Sequence, residues 1–575
     1  MRISTAAFGL VCAGVIAVFF VSAGVGGSEW GGAEPSGLYY DALARGFSAG
    51  QLALKKEAPP GLARLPDPYD PAANAPYLYA PYQLNDLSYF RGRFYLYFGV
   101  TPALLAFWPW FAVTGQDLPH KYAAAFFCSA GFLSAAGLLR ALWRRYFPEV
   151  SGWVVAAGAL ALGLGTTAVV MLQRPGVSEV PIGCAYAFLM LALAALWRAL
   201  HDPGRAARWL AAAAGAYGLA LGARPSELPG AAILLVPLLL AGRGAERRRW
   251  LAAVALPLAA AGAGILLHNQ LRFGDPFEFG QRYQLAAQRQ DGIRHFSLAY
   301  LAYNFRLYFL APTAWGRFFP FIQGTMVPPP PPGHAAPENV ISILPNLPLV
   351  LLALATPLAW LRRPPGETRT LREFLTAVGL LPVLLLTPLL FYYWASNRYE
   401  VEFLPPLLLL ALVGILGLER SLAGRGAWLA AARAGWLALL CFSVGFNVLA
   451  SCGRYAAERY SAGLSLDEAG RPAEALGQYQ AAVRMAPSDF RMRNDLGIAL
   501  ARQRRLPEAR EQFEAAVRLR PDLTEGHANL GNAFLLLGRL PEAITQYEAA
   551  LRLTPDDAAL GSRLAAARRA LASPR

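Results

Sequence analysis

The sequence predicts an all-α chain in two unlike parts. The first is a polytopic transmembrane helix bundle of about eleven spans, and the second is an α-solenoid built from a 34-residue repeat. Three observations carry this. Hydrophobic residues make up 55% of the 575 and charged residues only 15%, where a soluble domain carries about 25%. Apolar runs recur from the amino terminus to about residue 452, and from about 455 to 572 the composition changes and a fixed period sets in.

The first run, 6–25, follows Met1-Arg2, and Val21-Ser22-Ala23-Gly24 has the small residues of a cleavage site. A retained span is the better reading, because the chain beyond it stays apolar. Ten more runs cover 121–141, 152–172, 182–200, 207–223, 228–242, 250–268, 342–361, 374–394, 403–419 and 434–451. Several fall short of the ~20 residues of a straight crossing, so their ends are soft. Basic connections (Arg140 to Arg145, Arg198 to Arg208, Arg243 to Arg249, Arg362 to Arg372, Arg420 to Arg433) alternate with mixed ones at 173–181, 224–228, 269–341 and 395–402. Basic loops stay on the cytoplasmic side, which puts the mixed loops outside. Residues 94–113 are apolar enough to cross, but a crossing there would break the alternation, and Pro102 and Pro109 interrupt the run. They are read as re-entrant or interfacial, with Met1 inside and the carboxyl terminus outside.

In the second part Pro487, Pro521 and Pro555 stand 34 apart, as do Gly463, Gly497 and Gly531. Ala475, Ala509 and Ala543 keep the step, and so do Tyr479, Phe513 and Tyr547. Small residues let paired helices approach, an aromatic fills the gap and proline ends each unit. That is the tetratricopeptide pattern, predicted here as three repeats with a capping helix over 558–572.

The net charge of +15 does not point to nucleic acid, because the arginines cluster between apolar runs, where topology explains them. Cys12, Cys128, Cys184 and Cys441 lie inside apolar segments and Cys452 just after one, with neither disulfide nor metal spacing. Glycine-rich phosphate loops, zinc motifs and nucleophile elbows are absent, so ATP use is not expected.

The chemistry gathers on the outer side, in two long loops, 26–120 and 269–341. Tyr39 to Gly50 has the spacing of a surface helix and holds Asp41; Asp86 precedes the aromatic stretch that runs to Gly99. Asp67 and Asp70, each beside proline, read as turn residues. Short outer loops add Arg174 and Glu179, Arg224 and Glu227, and Arg398, Glu400 and Glu402. Such groups at span ends are costly unless they pair with each other or meet a ligand. Acids can serve as a base or hold a divalent ion, and arginines can clamp a phosphate. The plainer reading has Arg224 snorkelling beside Pro225, Arg398 and Glu400 pairing with loop charges, and His268 simply packed at a span end.

Tyr39 to Leu54, Asp86 to Pro102, His268 to Tyr283 and Arg398 to Pro406, with the span pattern, resemble the GT-C glycosyltransferases over residues 1–452. That superfamily includes protein O-mannosyltransferases and aminoarabinose transferases, and the likeness is nearest to a bacterial branch with a mannosyltransferase-type membrane domain. The resemblance implies a catalytic acid on the first outer loop, just upstream of an aromatic-led helix. Here Glu34 precedes Tyr39 and Asp41 follows it, so either fills that role. A second acid at the loop's end corresponds to Asp86. The resemblance also implies a polyprenyl-phosphate sugar donor, for whose phosphate Arg224 and Arg398 are suited, with Glu179 and Glu400 beside them in the substrate site. Some members need a divalent metal and others do not, so a cation is left open.

The expectation is an inverting glycosyltransferase of the bacterial inner membrane. It would move a sugar from the donor to a lipid, glycan or protein acceptor on the outer face, where the repeats would recruit a protein partner. The alternatives are an oligosaccharide polymerase or ligase, or a lipid or glycan transporter with a repeat scaffold. A transporter would be expected to carry charges or broken helices at mid-membrane, whereas these charges cluster at one face.

Overall fold

The structure is a computed structural model that describes residues 5–26, 38–78, 82–240, 245–290, 292–317, 319–338, 340–361 and 363–572. The chain forms two compact units. One is drawn from residues up to Val448, and the other from Leu449–Arg575 with Trp315–Gln323.

In the first unit every predicted crossing falls on a helix. Eight helices among the described residues are long and apolar enough to cross a membrane, by length and composition. These are Ala6–Gly24, His120–Tyr146, Gly152–Met171, Glu179–His201, Ala245–Phe273, Thr368–Phe391, Asn397–Ser421 and Gly426–Glu468. The other three predicted spans are shorter. Ala206–Ala223 has 18 residues, while Pro225–Leu235 and Pro348–Ala359 are wound as 3₁₀-helices. The tighter winding rises about 2.0 Å per residue, so the 12 residues of Pro348–Ala359 reach ~24 Å. The first helix, Thr5–Gly26, belongs to the bundle, with Phe19 meeting Phe132 at 6.0 Å between ring centroids.

The all-α expectation is corrected in the two long loops, which carry strands. Leu87–Phe90 and Arg93–Leu96 form a hairpin, and Gln284–Leu285 adds a third strand through the pairs Leu87↔Leu285 and Ser88↔Gln284. The turn residues Arg91 and Gly92 both have positive φ, 49° and 78°, which is what a two-residue hairpin turn demands. Thr313–Trp315 and Ile322–Thr325 form a second, two-stranded sheet. The three-stranded sheet ties the first long loop to the second, and Ser88 Oγ adds a bond to the Gly280 carbonyl at 2.7 Å. Residues 94–113 do not form one helix: they begin in the hairpin and end in the apolar helix Ala103–Thr114.

In the second unit, helix pairs follow the predicted step. The end of Gly426–Glu468 pairs with Pro472–Met485, Phe490–Arg502 with Leu506–Leu519, and Thr524–Leu536 with Leu540–Leu553; Ala558–Ala572 caps the stack. A Cβ added at Gly463, Gly497 or Gly531 would lie 2.6, 2.5 or 2.8 Å from a ring atom of Tyr479, Phe513 or Tyr547. The glycines are therefore where the rings seat. Ala475, Ala509 and Ala543 are fully buried beneath them.

Candidate functional site

The four mixed loops meet at one end of the bundle. Arg224, at the end of helix Ala206–Ala223, pairs with Glu402 at 2.5 Å and stands 3.6 Å from Glu227. Its guanidinium lies 5.0 Å from the centroid of the Tyr399 ring. Arg398 lies 5.9 Å from the same ring and pairs with Glu179 at 3.0 Å and Glu338 at 2.9 Å, while Ser178 Oγ accepts from it at 2.6 Å. Arg174 closes the chain of pairs on Glu338 at 3.0 Å. The loops bearing these groups are far apart in sequence, yet one ring, Tyr399, underlies two of the arginines.

Basic connections gather at the far end of the same helices. Tyr146 Oη meets His201 Nε2 at 2.8 Å, Arg363 donates to the Tyr146 carbonyl, and Arg420 pairs with Glu149 at 3.4 Å. Helix Glu179–His201, 23 residues or ~35 Å long, joins the two ends. The alternation of loop types thus corresponds to two chemically different ends.

Asp86 belongs to the polar end. Its backbone N–H donates to the Leu285 carbonyl, and its carboxylate accepts from Gln284 Nε2 at 2.8 Å and Asn85 Nδ2 at 3.1 Å. Its φ of 61° is left-handed, a conformation Asp tolerates better than most residues. It is only half-buried by area, but the protein crowds it enough that burial pushes its carboxyl above the usual carboxylate range. The Gln284 hydrogen bond and the charges of Arg398 and Arg174 oppose that shift, while Glu179 adds to it. Burial, reinforced by Asp86 and Tyr399, also raises the phenol of Tyr97. Gly99 fixes this edge of the loop: a Cβ there would fall 2.2 Å from the Ala223 carbonyl oxygen, beside Arg224.

The other predicted residues divide. Arg224, Arg398 and Glu179 come together as expected. Asp41 is buried at the start of helix Tyr40–Ser48, and its carboxylate accepts the Leu118 N–H at 3.1 Å, stitching the two ends of the first loop together. Glu400 is fully buried with Oε1 accepting the Ile341 N–H at 3.2 Å, so it braces the end of the second loop. Glu34 lies outside the described residues. Asp67 and Asp70 accept from the N–H groups of Tyr69 and Ala72, the turn role expected of them. His268 lines an apolar cavity. Glu338 was missed; its signal was an acid at the close of a mixed loop, just before an apolar run. Among the described residues no three histidines, cysteines or acids group as a metal site.

That cavity, about 510 Å³, opens between helices Ala206–Ala223 and Ala245–Phe273, with Thr101, Leu104 and Trp108 from the first loop. Gly215, Gly218 and Gly222 line it on one helix and Ala261, Gly264 and Ile265 on the other. A Cβ at Gly215 or Gly264 would meet nothing within 4 Å, so these two glycines leave its floor open. Gly222, on the same wall, is two residues from Arg224.

These features define an apolar helical bundle with one charged end, joined to a repeat stack. Residues 460–524 match the family model described as tetratricopeptide repeat and residues 531–568 one described as TPR repeat, so the carboxyl-terminal part carries tetratricopeptide repeats. None of the curated proteins matches the chain. Among solved structures, the first TPR of Spaghetti (RPAP3) bound to an HSP90 peptide is 25% identical, covering 20% of this chain and 96% of that one at a TM-score of 0.20. TTC0263, a thermophilic TPR protein of Thermus thermophilus, is 22% identical over 27% of this chain and 90% of its own, with a TM-score of 0.17. YrrB, a TPR protein with an unusual peptide-binding site, is 15% identical over 39% and 92%, with a TM-score of 0.18.

Proposed function

We propose that the chain is an integral membrane glycosyltransferase that takes a sugar from a polyprenyl-phosphate donor at the outer face of a bacterial inner membrane. The observation that carries this reading is that Asp86 lies within electrostatic reach of Arg174 and Arg398, and that Arg224 and Arg398 flank one ring, Tyr399, at the end of the bundle away from the basic loops. Asp86 is the base that takes the acceptor's proton, and Tyr97 borders it. The acceptor then attacks the anomeric carbon, and the arginines stabilise the phosphate as it leaves. The glycine-floored cavity supports the same reading, because an apolar slot ending two residues from Arg224 suits the lipid tail of such a donor. The acceptor is a lipid, a glycan or a protein, and the repeats recruit a protein partner on the same side.

Purified full-length protein in lipid is offered polyprenyl-phosphate sugars, and release of the polyprenyl phosphate is followed. Turnover with at least one sugar is expected; no turnover with any, in correctly folded protein, removes the reading. A reporter active only outside the cytoplasm, fused after Arg575, is expected to work. Activity of a cytoplasm-only reporter instead would place the charged end inside.

A further inference from the structure

The ion pairs at the charged end do not balance evenly. Arg174 and Arg398 share Glu338 and Glu179, two cations for two acids. Arg224 alone faces two carboxyls, Glu402 and Glu227, whose side chains are 3% and 4% exposed. Both carboxyls approach the same guanidinium nitrogen, Nε, so two acids crowd one cation in a sealed place. The other charged or titratable groups around the pair do not supply a second cation. Tyr217 donates to the Glu227 backbone carbonyl, Tyr308 and Tyr399 are phenols, Glu400 is another acid, and Arg398 is held by its own two partners. Two sealed carboxylates that share one guanidinium cannot both stay ionised.

We infer that Glu227 and Glu402 hold one proton between them as a dyad, and that an anionic phosphate reaching Arg224 is bound together with a second proton. The inference rests on the phosphate-donor reading of the site. Arg224 is the group through which the anion enters, since its side chain retains 16% exposure while both acids are sealed. When the phosphate takes over the guanidinium, the remaining dyad carboxylate loses its counter-charge. It accepts a proton from bulk water and becomes a carboxylic acid, so the charge of the buried site is unchanged. No bond other than O–H forms. The dyad therefore acts as a gate that keeps Arg224 neutralised when the donor is absent and releases it in exchange for a proton.

The test uses the full chain in detergent and farnesyl methyl phosphate, a phosphodiester whose single charge does not titrate near neutral pH. Calorimetric titration in two buffers of different ionisation heat counts the protons taken up. About one proton per phosphodiester is expected, with affinity rising about tenfold per unit fall in pH, the slope that one linked proton sets. In the Glu227→Gln/Glu402→Gln double variant the uptake is expected to vanish and the affinity to become independent of pH. Binding of the wild-type chain without proton uptake overturns the inference and leaves the donor reading standing. Undiminished uptake in a folded double variant also overturns it. No binding at any pH removes the phosphate-donor reading and the inference together. Because the wild-type measurement needs no substitution, a double variant that fails to fold does not shelter the idea.

Discussion

Glycine does opposite work in the two parts of the chain. In the repeats, Gly463, Gly497 and Gly531 are pressed against aromatic rings, and the space a side chain would need is already filled. In the bundle, Gly215 and Gly264 face open space along the cavity. Charges differ in the same way. Repeat pairs such as Arg471–Glu474, Arg505–Glu508 and Arg539–Glu542 recur on the surface at the step of 34 and contribute little. At the charged end of the bundle the pairs are mostly buried, irregular and drawn from four separate segments. The lesson is that the repeats use their residues to fit one another, whereas the bundle leaves room and charge at one end for something else.

The sharpest way to break that contrast is Asp86→Asn, which keeps the size and removes the charge. If Asp86 is the base, transfer falls by ~10²–10⁴ with the amount of folded protein unchanged. The pH profile adds a second signature. Burial raises the Asp86 carboxyl, so the base is lost, and activity falls, as pH drops through a value above the ordinary carboxylate range. Stability runs the other way: a carboxyl raised on folding contributes stability present at low pH and lost as pH rises through its folded value. The Asn variant should lose both dependences. Unchanged turnover would move suspicion to Glu34 and Asp70.

Arg398→Ala is the next largest effect, and it is a folding effect before it is a binding one. Its removal leaves Glu179 and Glu338 without their main cation in a largely buried place, a cost of about 3–5 kcal/mol. A lowered thermal midpoint is expected alongside weaker donor binding. Wild-type stability with weak binding would mean that the arginine serves the ligand alone.

Gly497→Trp tests the repeat side. The new side chain enters the space of the Phe513 ring, 2.5 Å from an added Cβ, at a cost of about 1–3 kcal/mol or more. Loss of the helical signal from the repeats should leave transfer to a small acceptor intact, as should ending the chain near Ser461. Loss of all transfer with the bundle folded would put the repeats in the active site.

The two parts were also unequally legible in the sequence. The repeats were readable to single residues, because a unit that packs on its own copies must reuse the same residue at the same step, as Gly463, Gly497 and Gly531 do. In the bundle the alternation of loop types was enough to group Arg224, Arg398 and Glu179, since helices that run back and forth return alternate loops to the same end. Partners within that group were not readable. Glu400 and Glu402 are two residues apart on one helix, yet one braces the Ile341 backbone and the other meets Arg224. The aromatic stretch after Asp86 forms a strand, and the third strand of its sheet, Gln284–Leu285, comes from the other long loop. Pairing at that separation leaves no local trace. Asp41 stands level with Asp86 in sequence, and its hold on the Leu118 N–H is something only the fold reveals.

Gly215→Leu gives the smallest effect and the most direct comparison with Gly497. A Cβ at position 215 meets no atom within 4 Å, so the substitution introduces no clash, and losing a helical glycine should stabilise the chain by roughly 0.5–1 kcal/mol. The leucine side chain would fill part of the cavity of about 510 Å³. If a lipid tail occupies that space, displacing two of its methylenes costs about 1.6 kcal/mol, at ~0.8 kcal/mol each, or about fifteenfold in affinity. The expected result is a higher thermal midpoint together with weaker binding of a long-chain polyprenyl phosphate. Binding of a phosphodiester with only a methyl tail should be unaffected, because it reaches Arg224 without using the cavity. Equal weakening for both ligands would mean that the leucine disturbed the arginine, and no weakening for either would mean that the tail lies elsewhere. Glycine at 497 is then a residue the fold cannot replace, and glycine at 215 one that only the ligand requires.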